Sequence, residues 1–93
     1  MTKKEIVKTI KENFRGVQKI VQKRSGEIIL MKGFFYRTNN SLKTYEKQIQ
    51  DQFNEFNIKN IEIIESYENY TSFNGNASVD KQSHFGVIFK VVE

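Results

Sequence analysis

Two stretches of the chain place apolar residues at helical spacing. In the first stretch the apolar positions are Ile6, Val7, Ile10 and Phe14. This spacing predicts an amphipathic helix over about 3–14. Thr2 and Glu5 stand three residues apart just before the apolar run, which is typical of a capping box. Gly16 follows the run and is a residue type that commonly ends a helix.

The second helical stretch follows a polar loop over residues 38–41, which supplies a residue for the N-cap. Its apolar positions are Leu42, Tyr45, Ile49, Phe53 and Phe56. These positions fall on one side of a helix and predict a second helix over about 42–56.

Two strand-like segments lie between the predicted helices, on either side of a turn signal. Residues 17–24 are partly polar, Ser25-Gly26 favours a turn, and residues 27–37 form the most apolar strand-like segment of the chain. Together they predict a β-hairpin. Gly33 lies inside the second strand, where a glycine predicts a bulge or a close approach of another backbone.

The last third of the chain predicts two further strands, over about 60–67 and 83–92. The polar stretch 68–82 between them is longer than a usual hairpin connection, and loops of that length are often functional or mobile. Residues 8–23 can also be aligned weakly with residues 47–66. Each half of the chain then consists of one helix followed by two strands.

The predicted element order is therefore α-β-β-α-β-β. We expect a single α+β domain over residues 1–93, with two layers. One layer is a four-stranded antiparallel sheet, and the other consists of both helices packed on one face of that sheet.

This fold leaves one sheet face without a helix, and the alternation of side chains along each strand predicts which residues lie there. On the last strand the expected inner residues are Phe85, Val87, Phe89 and Val91, and the expected outer residues are His84, Gly86, Ile88, Lys90 and Val92. On the third strand Ile61 and Ile63 are expected to point inward, and Glu62, Ile64 and Ser66 outward. The second strand is apolar on both faces, with Ile29, Met31 and Phe35 on one side. An exposed apolar patch of this kind usually marks an interface.

The open face motivates a first functional hypothesis, a small accessory protein that binds a protein partner or a second copy of itself. The candidate interface residues are Ile64, Ile88, Tyr70, Phe73 and His84. Tyr70 and Phe73 are apolar residues in the polar stretch 68–82, and they either pack back onto the domain or contact a partner. The absence of proline and cysteine, together with abundant Lys, Asn and Ile, is typical of low-GC bacteria, their phages and mobile elements.

The distribution of charge motivates an alternative hypothesis, a nucleic-acid-binding module. Residues 1–48 carry 12 Lys and Arg against 4 Asp and Glu, whereas residues 49–93 carry 3 against 7. A basic half favours a polyanionic partner or an acidic protein, although solvated lysines also serve solubility alone. The candidate phosphate-binding residues are Lys19, Lys23, Arg24, Lys32 and Arg37. Phe34 and Tyr36 on the same hairpin either stack on bases or fill the core.

The residues that catalysis or metal binding would need are scarce. The chain has no cysteine, its five glycines do not have the spacing of a phosphate-binding loop, and His84 is its only histidine. No nucleophile is paired with a base, and no set of ligands has metal-binding spacing. We therefore expect no enzymatic activity, no cofactor and no metal, and we expect His84 to anchor a loop through its ring nitrogens.

The location of the protein is predicted from the same composition. No stretch approaches the roughly 20 apolar residues that span a bilayer, and the N-terminal residues lack the apolar region of a signal peptide. The absence of cysteine fits a reducing compartment. We expect a cytoplasmic protein that does not enter a membrane.

Overall fold

The computed structural model describes residues 1–34, 41–69 and 83–92, and it confirms the predicted α+β order. The elements are α1 (Lys3–Asn13), β1 (Lys19–Gln22), β2 (Glu27–Phe34), α2 (Leu42–Glu55), β3 (Ile61–Asn69) and β4 (Ser83–Val91). The four strands form one antiparallel sheet in the order β1-β2-β4-β3. Each half of the chain thus contributes one edge strand and one central strand.

Helix α1 begins at the predicted capping box. The backbone N–H of Glu5 donates to Thr2 Oγ1 at 3.2 Å, and the Thr2 N–H donates to Glu5 Oε1 at 3.1 Å. The hydrogen bond that the Glu5 carboxylate accepts from the Thr2 N–H lowers the pKa of this carboxyl. The helix ends at Asn13, before Gly16, whose φ of +81° belongs to the following turn.

Helix α2 begins at Ser41, whose hydroxyl accepts from the Thr44 N–H at 3.2 Å. It ends in a Schellman motif, in which the N–H of Ile58 donates to Phe53 O at 2.8 Å. Asn57 takes the left-handed position of this motif with φ of 56°. Asn57 thus belongs to the C-terminal cap of α2, a role that the pattern of apolar residues did not indicate.

The core lies between the helices and one face of the sheet. The buried side chains of both helices form one cluster with alternate residues of the two central strands. The cluster is Ile6, Val7, Ile10, Ile28, Leu30, Tyr45, Ile49, Phe53, Ile58, Phe85, Val87 and Phe89. The predicted inward direction of Phe85, Val87 and Phe89 is confirmed, and Val91 packs against the cluster while partly exposed.

One buried polar side chain ties the two halves of the chain together. Gln52 of α2 is 1% exposed, and its Oε1 accepts from the Arg15 N–H at 2.6 Å. Its Nε2 donates to the Arg15 carbonyl at 2.9 Å and to the Gln48 carbonyl at 3.2 Å. The amide of Gln52 therefore satisfies both backbone groups of Arg15, two residues after the end of α1, and fixes that segment on α2.

Candidate functional site: the open face of the sheet

The register of the strands defines which side chains share the face opposite the helices, because cross-strand partners point to the same side. The described residues of this face fall into three main rows. The first row is Lys23, Glu27, Lys90 and Glu62; the second is Val21, Ile29, Ile88 and Ile64 with Glu65; the third is Lys19, Met31, Gly86 and Tyr67. We call these the charged row, the apolar row and the tyrosine row.

The apolar row crosses all four strands with β-branched side chains. Ile29 on central strand β2 is 6% exposed and lies outside the core cluster, so its burial comes from the open side of the sheet. Val21 and Ile88 are partly exposed, and Ile64 at the β3 edge is 45% exposed. The prediction that Ile64 and Ile88 point away from the helices is thus confirmed. Val92, just after β4, adds a further apolar side chain that is 46% exposed.

A β-bulge in β3 changes which of its residues reach the open face. The register shifts between Ile63 and Glu65, so Ile64 is an extra residue in this strand. Ser66 consequently pairs with inward-pointing Val87, and the prediction that Ser66 points outward is wrong. Gly33 instead pairs regularly with His84, so of the two alternatives predicted at this glycine the bulge is wrong.

The same bulge places Tyr67 on the open face, opposite Gly86. The Tyr67 ring covers this glycine so closely that a Cβ atom at position 86 would collide with the ring. The Tyr67 hydroxyl lies 3.4 Å from His84 Nε2, and the two rings meet edge to face at 5.6 Å. Burial raises the pKa of Tyr67, and the nearby Glu65 carboxylate raises it further.

His84 and Tyr67 therefore form a polar pair at one end of the open face. His84 is partly exposed on β4 and is oriented by Tyr67 across the sheet. Strand alternation alone would have placed Tyr67 on the helix side, which is why sequence reasoning missed it. Gly86 in an otherwise bulky strand was the one available signal, because aromatic residues commonly pack over a cross-strand glycine.

The charged row alternates in sign across the sheet. Lys23 follows β1 directly and pairs with Glu27, with Nζ and Oε2 4.0 Å apart. Lys90 on β4 lies opposite Glu27 on one side and opposite Glu62 on the other. Opposite charges at facing positions attract each other across the strands, so this row is stabilised in place.

The four described basic residues among those predicted for nucleic-acid binding lie on different parts of the surface. Lys19 and Lys23 lie at opposite ends of the open face, and Arg24 lies in the turn of the hairpin. Lys32 pairs with Phe85 and therefore lies on the helix side of the sheet. Arg37, Tyr70 and Phe73 lie outside the described residues.

No group of three or more His, Cys, Asp or Glu side chains that could hold a metal ion occurs in residues 1–34, 41–69 and 83–92. Within the same ranges, neither helix has the length and apolar content needed to cross a membrane. Comparison of the chain with protein-family models, with curated proteins and with solved structures finds no match.

Proposed function

We propose that the protein is a non-enzymatic binding module that holds a protein partner on the open face of its sheet. The observation that supports this proposal is the apolar row, which crosses all four strands on the face opposite the helices. Its Ile64 end is nearly half exposed, and charged residues border it on one side. An apolar centre with a polar rim is the usual composition of a protein interface.

The face is favoured over the strand edges as the contact surface. An exposed edge strand can pair with another chain, but proteins prevent this with short strands, charges and bulges. β1 has only four residues. β3 carries the bulge and three exposed glutamates, Glu62, Glu65 and Glu68. Neither edge is a good template for adding a strand, whereas the described part of the face presents the apolar row.

Site-specific photo-crosslinking in the cells that naturally contain the protein tests this proposal. A benzophenone amino acid replaces Ile64 in one variant and exposed Lys47 of α2 in a matched control. We expect crosslinked adducts of defined mass from position 64 and few from position 47. Equal labelling at both positions, or no adduct at position 64, contradicts the proposal.

Binding of nucleic acid is the second candidate, and helix α1 supplies the observation that favours it. Lys4, Lys8 and Lys11 are exposed along this helix, and together with Lys3 and Gln22 they line a groove between α1 and β1. A row of lysines beside a groove suits a phosphate backbone. Within this groove Lys8 also pairs with Glu12 at 3.9 Å, which reduces the local positive charge.

A salt titration with labelled single- and double-stranded DNA and RNA tests the second candidate. Phosphate binding requires affinity that falls steeply between about 50 and 200 mM salt, because bound counterions are released. The triple variant Lys4→Glu, Lys8→Glu, Lys11→Glu should lose that binding, and Lys43→Glu, Lys47→Glu, Lys59→Glu is the control with the same change in charge. Absence of binding at 50 mM salt contradicts this candidate. A cytoplasmic location and a bacterial or phage origin stay predictions for either function.

A further inference from the structure

The pattern of the open face is self-complementary. We infer that its partner is a second copy of the chain, packed face to face about a two-fold axis that runs parallel to the strands between β2 and β4. This inference rests on the proposed function and specifies the partner of the same face. Such an axis reverses the strand order, so β1 lies on β3 of the partner subunit and β2 lies on β4.

The charged row provides the main argument for this axis. Its signs read plus, minus, plus, minus from β1 to β3. Reversal of the order places Lys23 over Glu62 of the partner subunit and Glu27 over the partner's Lys90. All four charges of each copy then face an opposite charge. A two-fold axis that runs across the strands along this row would instead place each charged residue over the same residue of the partner subunit. Like charges would then face each other and repel.

The other two rows match under the same axis. In the apolar row, Ile88 lies over Ile29 of the partner subunit, so apolar side chains meet at the centre. Val21 lies over the bulge of the other copy, which holds the partner's Ile64 together with Glu65 of the partner subunit. In the tyrosine row, the Lys19 ammonium lies over the ring of the partner's Tyr67, an arrangement that favours a cation–π contact. Met31 lies over Gly86 of the partner subunit and beside the ring that covers it, where a thioether packs well.

The twist of the sheet limits how closely these rows coincide. Two packed sheets cross at about 30°, which displaces the edge strands by roughly one residue relative to a flat superposition. Sheets that pack about 10 Å apart leave room for Lys and Glu side chains to span that displacement. The opposite charges therefore stay within reach, while the central pair of Ile29 and Ile88 is hardly displaced.

The face is small for a protein interface. Strands of 4, 8, 9 and 9 residues that lie about 4.8 Å apart give a face of about 480 Å² per copy, or about 950 Å² for both copies. This is near the lower limit for a specific interface. We therefore expect a reversible dimer of twice 11.0 kDa with a dissociation constant in about the micromolar range.

Two charge-reversed variants test the inference. Glu27→Lys, Glu62→Lys makes the charged row entirely positive, and Lys23→Glu, Lys90→Glu makes it entirely negative. We expect each variant alone to raise the dimer dissociation constant about tenfold or more, and an equimolar mixture to recover a dimer. Light scattering and sedimentation equilibrium measure the masses, and circular dichroism confirms that each variant is folded. Lys11→Glu, Lys47→Glu has the same charge change as the negative variant and should remain dimeric.

The outcomes separate this inference from the proposed function. Dimeric wild type, monomeric variants and recovery on mixing support it. A monomeric wild type at about 1 mM, or variants as dimeric as wild type, overturns it. If a reversed variant does not fold, Ile64→Asp replaces it, because this bulge residue has no cross-strand partner; a dimer unaffected by Ile64→Asp also overturns the inference. Adducts of position 64 with a different protein overturn self-association and leave the proposed function standing, whereas no adduct at all overturns both.

Discussion

The contact between Tyr67 and Gly86 makes a prediction that a double-mutant cycle can measure. The Tyr67 ring occupies the space into which a side chain at position 86 would project. Gly86→Ala therefore forces the ring to move, and overpacking of this kind costs about 1–3 kcal/mol. The ring cannot simply rotate away without losing its contact with His84, with the hydroxyl at 3.4 Å from Nε2.

The cost should disappear when the ring is absent. In a Tyr67→Ala background the added methyl group has room, and alanine loses less backbone entropy than glycine by about 0.5–1 kcal/mol. Gly86→Ala should then be neutral or slightly stabilising, which gives a coupling free energy of about 1–4 kcal/mol between the two positions. A Tyr67→Phe background keeps the ring and should keep the full cost.

Urea unfolding followed by far-ultraviolet circular dichroism measures these differences. With a slope of about 1 kcal/mol per molar urea, a cost of 2 kcal/mol moves the midpoint by about 2 M. All variants are compared at one protein concentration, because association would add to apparent stability. If Gly86→Ala has the same cost with and without the Tyr67 ring, the close packing described here is not what constrains position 86.

Three further predictions follow from other contacts. Gln52→Leu should lower the free energy of unfolding by about 2–4 kcal/mol, because both backbone groups of Arg15 lose their partner. Exposed Gln50→Leu should change the free energy of unfolding by less than about 0.5 kcal/mol. Equal effects of the two variants in urea unfolding would contradict the role given to Gln52. Asn57→Gly should be neutral or stabilise by up to about 1 kcal/mol, and Asn57→Val should destabilise, because only a residue tolerant of positive φ suits the end of α2; thermal unfolding that ranks the two variants the other way would refute this. Burial raises the pKa of Tyr45, so the folded state favours the neutral phenol. The free energy of unfolding gained in this way is fully present below the unfolded pKa of about 10 and is lost as the pH rises above it. Tyr45→Phe should reduce the loss of stability between pH 9 and about 11.5 in urea titrations, and an unchanged pH dependence would assign the loss to other groups.

Much of the fold follows from local patterns. The capping box at Thr2, the helical stripes and the alternation of Phe85, Val87 and Phe89 each require only neighbouring residues, and the structure agrees with them. The position of Gln52 could not be derived in this way. Its partner Arg15 lies 37 residues earlier in the chain, so its burial depends on tertiary packing.

The candidate site was predicted only in part, and the bulge is the reason. Ile88 lies on β4, which has no register shift, so period two gives its face correctly. An extra residue at Ile64 inverts the faces of every later position in β3, and nothing in the local sequence marks where that residue is inserted. Tyr67 was therefore assigned to neither the face nor the site, although it covers Gly86 there.

The sheet order also determines how the chain opens. The two central strands, β2 and β4, come from different halves of the sequence and are joined along eight register pairs. Amide protons along this seam should exchange only when the halves separate, whereas those of the short edge strand β1 can exchange through local fraying. Separation leaves each half with a long, unpaired apolar strand. The unpaired β2 and β4 fit β4 and β2 of another molecule equally well. The junction between β2 and β4 is therefore also where two molecules could exchange halves.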